Sequence, residues 1–209
     1  MVVKPSNAMV RNIMVDVPPE VLPQLFPNWE SSVEPPPGLA PAGVLLPLFY
    51  KDSELHLLFI QRTFRVKDHR GQIAFPGGVK DPQDADLLTT ALRETAEEIG
   101  LKPQEVQILG ALPAVGTVTG YWINAFVGLI PYPYDFQVNK REVQRLLFLP
   151  LSGFCPKERW SSGTYKYRRQ TVKVCYWRQD DLLIWGATAR LLLQLLSRFG
   201  EEPAVGCDT

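Results

Sequence analysis

The sequence predicts an α/β fold in which a mixed β-sheet is packed between helices, an α/β/α sandwich preceded by a proline-rich arm. Three observations predict it. Short apolar runs separated by turn residues supply strands on both sides of one central helix. That helix carries an apolar stripe of helical period and ends at Gly100. A second helical pattern closes the chain and stops at Gly200.

Residues 1–39 form the arm, because "VPPEVLPQLFP" and "VEPPPGLAPAG" hold prolines too densely for a helix interior or a central strand. Between those prolines, Val21 to Phe26 is expected to make a short helical turn, and the arm is expected to lie on the domain or to assist a homodimer. From Ala42, "AGVLLPLFY" and "LHLLFIQR" flank the polar "KDSE" and read as a hairpin. "VQILGALPAV" and "YWINAFVGLI" are two further strands, with turn residues between them. "VQRLLFLPL" fits either a strand or the end of a short helix, and "TYKYRRQTVKVCYWR" supplies another hairpin. In "DLLIWGATARLLLQLLSRFG", Leu182, Trp185, Ala189, Leu192, Leu193 and Leu196 recur at helical spacing. The domain is therefore expected to span 40–200, with 201–209 a flexible tail.

The 209 residues include 22 basic and 22 acidic side chains and are 45% hydrophobic, enough for one well-buried domain. Balanced charge argues against a general nucleic-acid partner, whose footprint is basic. No apolar run reaches the ~18–20 residues that span a bilayer, and Pro5, Asn7, Asn12 and Asp16 interrupt any secretory leader. The expectation is a cytoplasmic protein with no membrane partner. Cys155, Cys175 and Cys207 are far apart, form no CxxC pair and read as reduced thiols.

The chemistry gathers in "FPGGVKDPQDADLLTTALRETAEEIG". Asp84 or Asp86 is placed to cap the helix, and Gly100 to stop it. At about 100° per residue, Glu98 lies roughly +40° and Glu97 roughly −60° from Glu94, so the three carboxylates share a face. Leu88, Leu92, Thr95 and Ile99 fall opposite, towards the sheet. Arg93 precedes Glu97 by one turn and is placed to hold it. Like charges at this spacing repel. They make either an ordinary solvated acidic face or a site for a hard divalent cation, which would cancel the repulsion. Upstream, Arg62, Arg65, Lys67, His69 and Arg70 place five potentially cationic side chains within nine residues. Alone they read as a basic loop; beside a carboxylate–metal helix they suit a phosphate ester.

The spacing of the glycine turn from "RETAEEIGL" resembles the Nudix hydrolase signature, matched by Gly78, Arg93, Glu94, Glu97, Glu98, Gly100 and Leu101. The chain departs from that pattern where Asp84 replaces a glutamate, where one extra residue separates Gly78 from Arg93, and where Thr95 takes an aliphatic position. The preceding "LFIQRTFRVKDHRGQIAFPGG" resembles a second signature, that of coenzyme A pyrophosphatases, through Leu58, Arg62, Gly71, Phe75, Pro76, Gly77 and Gly78. Phe59, Ile60, Thr63 and Lys67 depart from it, while the lengthened box is a habit of that subfamily.

The resemblance, which covers about residues 40–195, implies a Nudix fold and Mg²⁺- or Mn²⁺-dependent hydrolysis of a diphosphate. Coenzyme A or a derivative would give 3′,5′-ADP and 4′-phosphopantetheine or its acyl form. It implies Glu94, Glu97 and Glu98 as metal ligands, with Glu94 or Glu98 as base through a metal-held water. Arg62, Lys67, Arg70, Gly71, Phe75, Gly77 and Gly78 would meet substrate. Arg93 would support the cluster; Glu142, in a later loop, is either an exposed loop carboxylate or a group that closes over the site and serves as base. Trp185 reads as a core anchor rather than a stacking platform, and Tyr121 and Trp122 either as core residues or as groups that meet a nucleotide or pantetheine arm. Other readings are a Nudix enzyme for ADP-ribose, NADH or a nucleoside triphosphate, and a non-catalytic Nudix scaffold. Retention of all three box glutamates argues against the scaffold.

Overall fold

Strands β1 (Ala40–Lys51) and β2 (Glu54–Arg62) form the expected antiparallel hairpin, turned at Asp52 and Ser53, both at positive φ. The computed structural model describes residues 17–26, 34–63, 71–168 and 170–202. Short strands β3 (Ile73–Ala74) and β4 (Gly77–Val79) precede helix α1 (Leu87–Ile99), followed by β5 (Gln107–Gly116), β6 (Tyr121–Leu129) and β7 (Val143–Pro150). These seven strands make one mixed sheet in the order β3-β2-β1-β6-β5, with β4 beside β1 and β7 beside β2. Only the β1–β6 pair is parallel. "VQRLLFLPL" thus resolves as a strand.

Alternation sorts the sheet into two faces. Leu45, Phe49, Leu58, Ile60 and Phe126 pack with α1, whereas Leu46, Leu48, Leu57, Phe59 and Val127 pack with the terminal helix. A sheet buried on both faces needs near-continuous apolar strands, which is what "AGVLLPLFY" and "LHLLFIQR" supply. Pro47 is tolerated inside β1 because that edge is split: β4 pairs with Ala42–Val44 and β2 with Leu48–Lys51. Leu45 donates towards the split, to the Pro76 carbonyl at 2.9 Å. Residues two apart face the same edge, so the N–H that Pro47 lacks has no strand to meet.

The second half keeps the hairpin read in "TYKYRRQTVKVCYWR" and differs after it. Strands β8 (Trp160–Tyr167), β9 (Gln170–Gln179) and β10 (Leu182–Trp185) form a separate three-stranded antiparallel sheet. Leu182 and Trp185 therefore belong to a strand, and helix α2 starts only at Gly186 and runs to Arg198. The cause is the Asp180–Asp181 turn, with Asp180 at φ 51°, which closes a two-residue hairpin onto Gln179. Ala189, Leu192 and Leu196 keep the buried positions expected of them, and Leu193 packs at the margin of the core. The described part of the arm lies on this face, where a turn of 3₁₀ helix at Leu22–Leu25 buries Leu22 and is followed by buried Phe26.

Cys175 is disulfide-bonded, in contrast to the reduced thiols expected. Among the described residues no helix is long and apolar enough to cross a membrane.

Candidate active site

Helix α1 begins at Asp86, whose carboxylate accepts from the Thr89 amide at 2.7 Å, and ends at Gly100 in the left-handed conformation. Asp84, the other candidate cap, has a different task. It is buried, accepts from Nε and Nη2 of Arg93 at 3.0 Å each, and takes the Thr90 hydroxyl at 2.9 Å. Those bonds, the Arg93 fork foremost, hold its carboxyl far below the usual range. Arg93 in turn donates through Nη1 to Glu94 at 2.9 Å and to Glu97 at 3.2 Å. The acid at position 84, although shorter than the family pattern, is thus the anchor of the arginine that orients Glu94. Thr95 is accommodated where an aliphatic residue is usual because its buried hydroxyl donates to the Ala91 carbonyl.

The three box glutamates do not share one environment. The Glu97 side chain is 58% exposed and turned to Arg93, whereas Glu98 is 1% exposed. Glu98 accepts from the Gly77 amide at 3.1 Å and from Arg62 Nη1 at 3.2 Å. Both glycines of β4 are dictated by this closeness. Gly77 has φ +146°, and a Cβ there would overlap the Gly43 carbonyl and Val44. A Cβ on Gly78 would run into the carboxylate of Glu94.

Glu94, Glu98, Arg62, Gly77, Gly78 and Glu142 line one cavity of about 710 Å³ between the main sheet and the small sheet. Glu142 is held at it by a pinned loop. Its carbonyl accepts from the Thr63 amide at 2.8 Å, and Asn139 donates from its own amide to the Glu98 carbonyl at 2.9 Å. Burial pushes the Glu98 carboxyl up to about 8, against the pull of the Gly77 N–H and Arg62, and the charges of Glu94 and Glu142 add to it. Burial likewise raises Glu94, partly offset by Arg93.

Other residues of the sequence reading are placed less directly. Phe75 touches the cavity but is 4% exposed and stacks on Phe59 at 4.6 Å between centroids, so it also builds the core. Gly71, at φ 69°, turns the chain outside the cavity lining, with its carbonyl bonded to Gln61. Arg65, Lys67, His69 and Arg70 lie outside the described residues. Tyr121 lines the cavity. Trp185 lines it too, with its ring 5.0 Å from Tyr165 and 6.3 Å from Tyr176, rather than anchoring the core. The sequence reading missed Arg190 and Lys173, which line the same cavity. The signal for Arg190 was present: it is the only charged residue from Leu182 to Ser197.

As arranged, no group of three His, Cys, Asp or Glu side chains among the described residues converges as a metal set. Arg62 and the Gly77 amide each engage one oxygen of Glu98, and Arg93 engages Glu94. The donor chemistry nonetheless fits a hard divalent cation. Glu94, Glu98 and Glu142 line one cavity, and the charges of Glu94 and Glu142, which add to the burial that raises Glu98, are what such an ion offsets.

The NUDIX domain model matches residues 40–167. A protein of Photorhabdus laumondii named uncharacterized Nudix hydrolase NudL is 38% identical over 159 residues, covering 74% of this chain and 82% of the relative. Its namesake in Citrobacter koseri is 34% identical over 162 residues, covering 78% and 84%. Among solved structures, a C. elegans Ap4A hydrolase in a binary complex is similar at 20% identity and a TM-score of 0.47, over 53% of this chain and 80% of that one. With a cavity lined by box glutamates, a family match over most of the chain and relatives of this identity, the protein belongs to the Nudix hydrolase family, whose members act on phosphorus-containing anhydrides.

Proposed function

We propose that this chain hydrolyses the diphosphate linkage of coenzyme A or a coenzyme A derivative, releasing 3′,5′-ADP and 4′-phosphopantetheine or its acyl form. The observation that carries the proposal is the position of Arg62. It lines the cavity beside Glu94 and Glu98, and its Nε is buried with no acceptor among the described residues. Arg62 is also a matching residue of the coenzyme A pyrophosphatase signature, together with Leu58, Gly71, Phe75, Pro76, Gly77 and Gly78.

In this reading Glu94 and Glu98 hold Mg²⁺ or Mn²⁺, and Glu97, which is exposed and outside the cavity lining, gives way to Glu142 as the third carboxylate on the wall. The cation, when bound, supplies a Lewis acid that neutralises the diphosphate. The chain's own residues do the rest. Arg62 forks its free donors to phosphate oxygens, a geometry that guanidinium matches and an ammonium does not. Arg93, fixed by Asp84, keeps Glu94 in place. The bare glycine backbone at 77–78 leaves the cavity floor open above Glu94. A carboxylate of the cluster, Glu94 or Glu98, takes the proton of the attacking water.

The test is side-by-side turnover of coenzyme A, ADP-ribose, NADH and a nucleoside triphosphate by the full chain with Mg²⁺. The proposal expects the highest kcat/KM on coenzyme A or its thioesters. AMP from ADP-ribose, with no 3′,5′-ADP from coenzyme A, would refute it.

A further inference from the structure

The cavity continues away from the glutamates towards α2 and the small sheet, where its walls carry Tyr165, Lys173, Trp185 and Arg190. Among the described residues no acid lines this part: their acidic side chains in the lining are Glu94, Glu98 and Glu142, at the other end. Arg190 is short of acceptors. Among the described residues its Nε is buried with no partner, and its one hydrogen bond is a long one, Nη1 to the Gly116 carbonyl at 3.4 Å. Gln194, one turn on, has its own Oε1 buried without a donor, so a purely structural Arg190 would turn back to it. Instead the guanidinium reaches across to β5.

The strand register sets the scale. Gly78 pairs with Gly43 on β1, β1 pairs with β6, and Gly116 pairs with Trp122 on β6. Three strand spacings therefore separate Gly78 from the carbonyl that Arg190 touches, on the order of 14 Å. A diphosphate group is too short to meet both ends, whereas a nucleotide bearing a second phosphate is long enough. Aromatic rings beside a guanidinium offer one wall for a base and one donor set for a phosphate.

We infer that Arg190 is a specificity-determining residue that receives a phosphomonoester on the nucleotide half of the substrate, remote from the diphosphate that is cleaved. Under the function proposed above, on which this inference rests, that group is the 3′-phosphate of coenzyme A. Arg190 lies beyond the 40–167 stretch that matches the NUDIX domain, so the assignment concerns a part of the chain that the domain match does not describe.

Calorimetric titration with 3′,5′-ADP and with AMP reads this directly, because binding is measured whether or not coenzyme A is turned over. The wild-type chain is expected to prefer 3′,5′-ADP. Arg190→Gln is expected to lower that preference about tenfold or more, the scale of a charge-assisted hydrogen bond. Arg190→Lys is expected to recover part of it, and the thermal midpoint of each variant shows whether the fold is intact. An unchanged preference in a folded Arg190→Gln chain overturns the assignment, even if coenzyme A proves to be the substrate. An Arg190-dependent preference in a chain that does not hydrolyse coenzyme A upholds it while sinking the substrate reading.

Discussion

The backbone N–H of Gly77 donates to Glu98 Oε2 at 3.1 Å, so the turn before the helix grips the one box glutamate that is fully buried. This bond couples the strand β4 to the glutamate face of α1, and the neighbouring Gly78 clears space for Glu94. Substitution should separate the two glycines. Gly77→Ala places a side chain at positive φ against the Gly43 carbonyl and should lower stability by about 1–3 kcal/mol, seen in denaturant midpoints. Gly78→Ala should displace the Glu94 carboxylate and lower kcat about 100-fold, the effect of an ångström-scale misplacement.

Asp84→Ala removes the buried acceptor of Arg93 and, among the described residues, leaves its guanidinium with Glu94 and Glu97. Breaking a buried charged pair on one side is destabilising by roughly 3 kcal/mol. Urea unfolding should show that loss, and kcat should fall with it because Glu94 is no longer held. Wild-type stability in Asp84→Ala would contradict the anchoring role.

Glu98 sets a pH dependence with a definite sign. Its ordinary pKa is 4.5 and burial pushes it up to about 8. Below 4.5 both folded and unfolded chains hold the proton, and the full contribution to stability is present. Between 4.5 and about 8 the unfolded chain releases the proton while the folded chain keeps it, so stability falls as pH rises. Without divalent ions the thermal midpoint should therefore decline across that window, and Glu98→Gln should flatten the decline. Adding Mg²⁺ should restore stability most at the alkaline end, where the metal no longer competes with a proton.

Glu98→Gln should also lower turnover at least about 100-fold, the scale of a lost contribution of a few kcal/mol. Steady-state kinetics at saturating Mg²⁺ measures it. Unchanged turnover would remove Glu98 from the machinery.

Much of the fold was legible because periodicity and turn chemistry are local. The β1–β2 hairpin, the Asp86 cap and the Gly100 stop each follow from a few adjacent residues. What failed depends on tertiary context. Leu182 and Trp185 fit a helical period by coincidence, and the Asp180–Asp181 turn overrode it. The helical wheel put three glutamates on one face, but the Gly77–Gly78 backbone covers only the Glu98 side of it, so burial splits Glu98 from Glu97. Asp84 looked like a departure from a motif until its distance to Arg93 showed what it does. Arg190 was visible as a lone charge in an apolar run, yet only the fold shows that it faces the cavity of the glutamates.

The most direct measurement is the rate of 3′,5′-ADP release from coenzyme A as Mg²⁺ is titrated into the metal-free protein. A saturable rise from no detectable release is expected, absent in Glu98→Gln. Release that is independent of divalent ions, or Mg²⁺-dependent turnover that yields no 3′,5′-ADP, would contradict it.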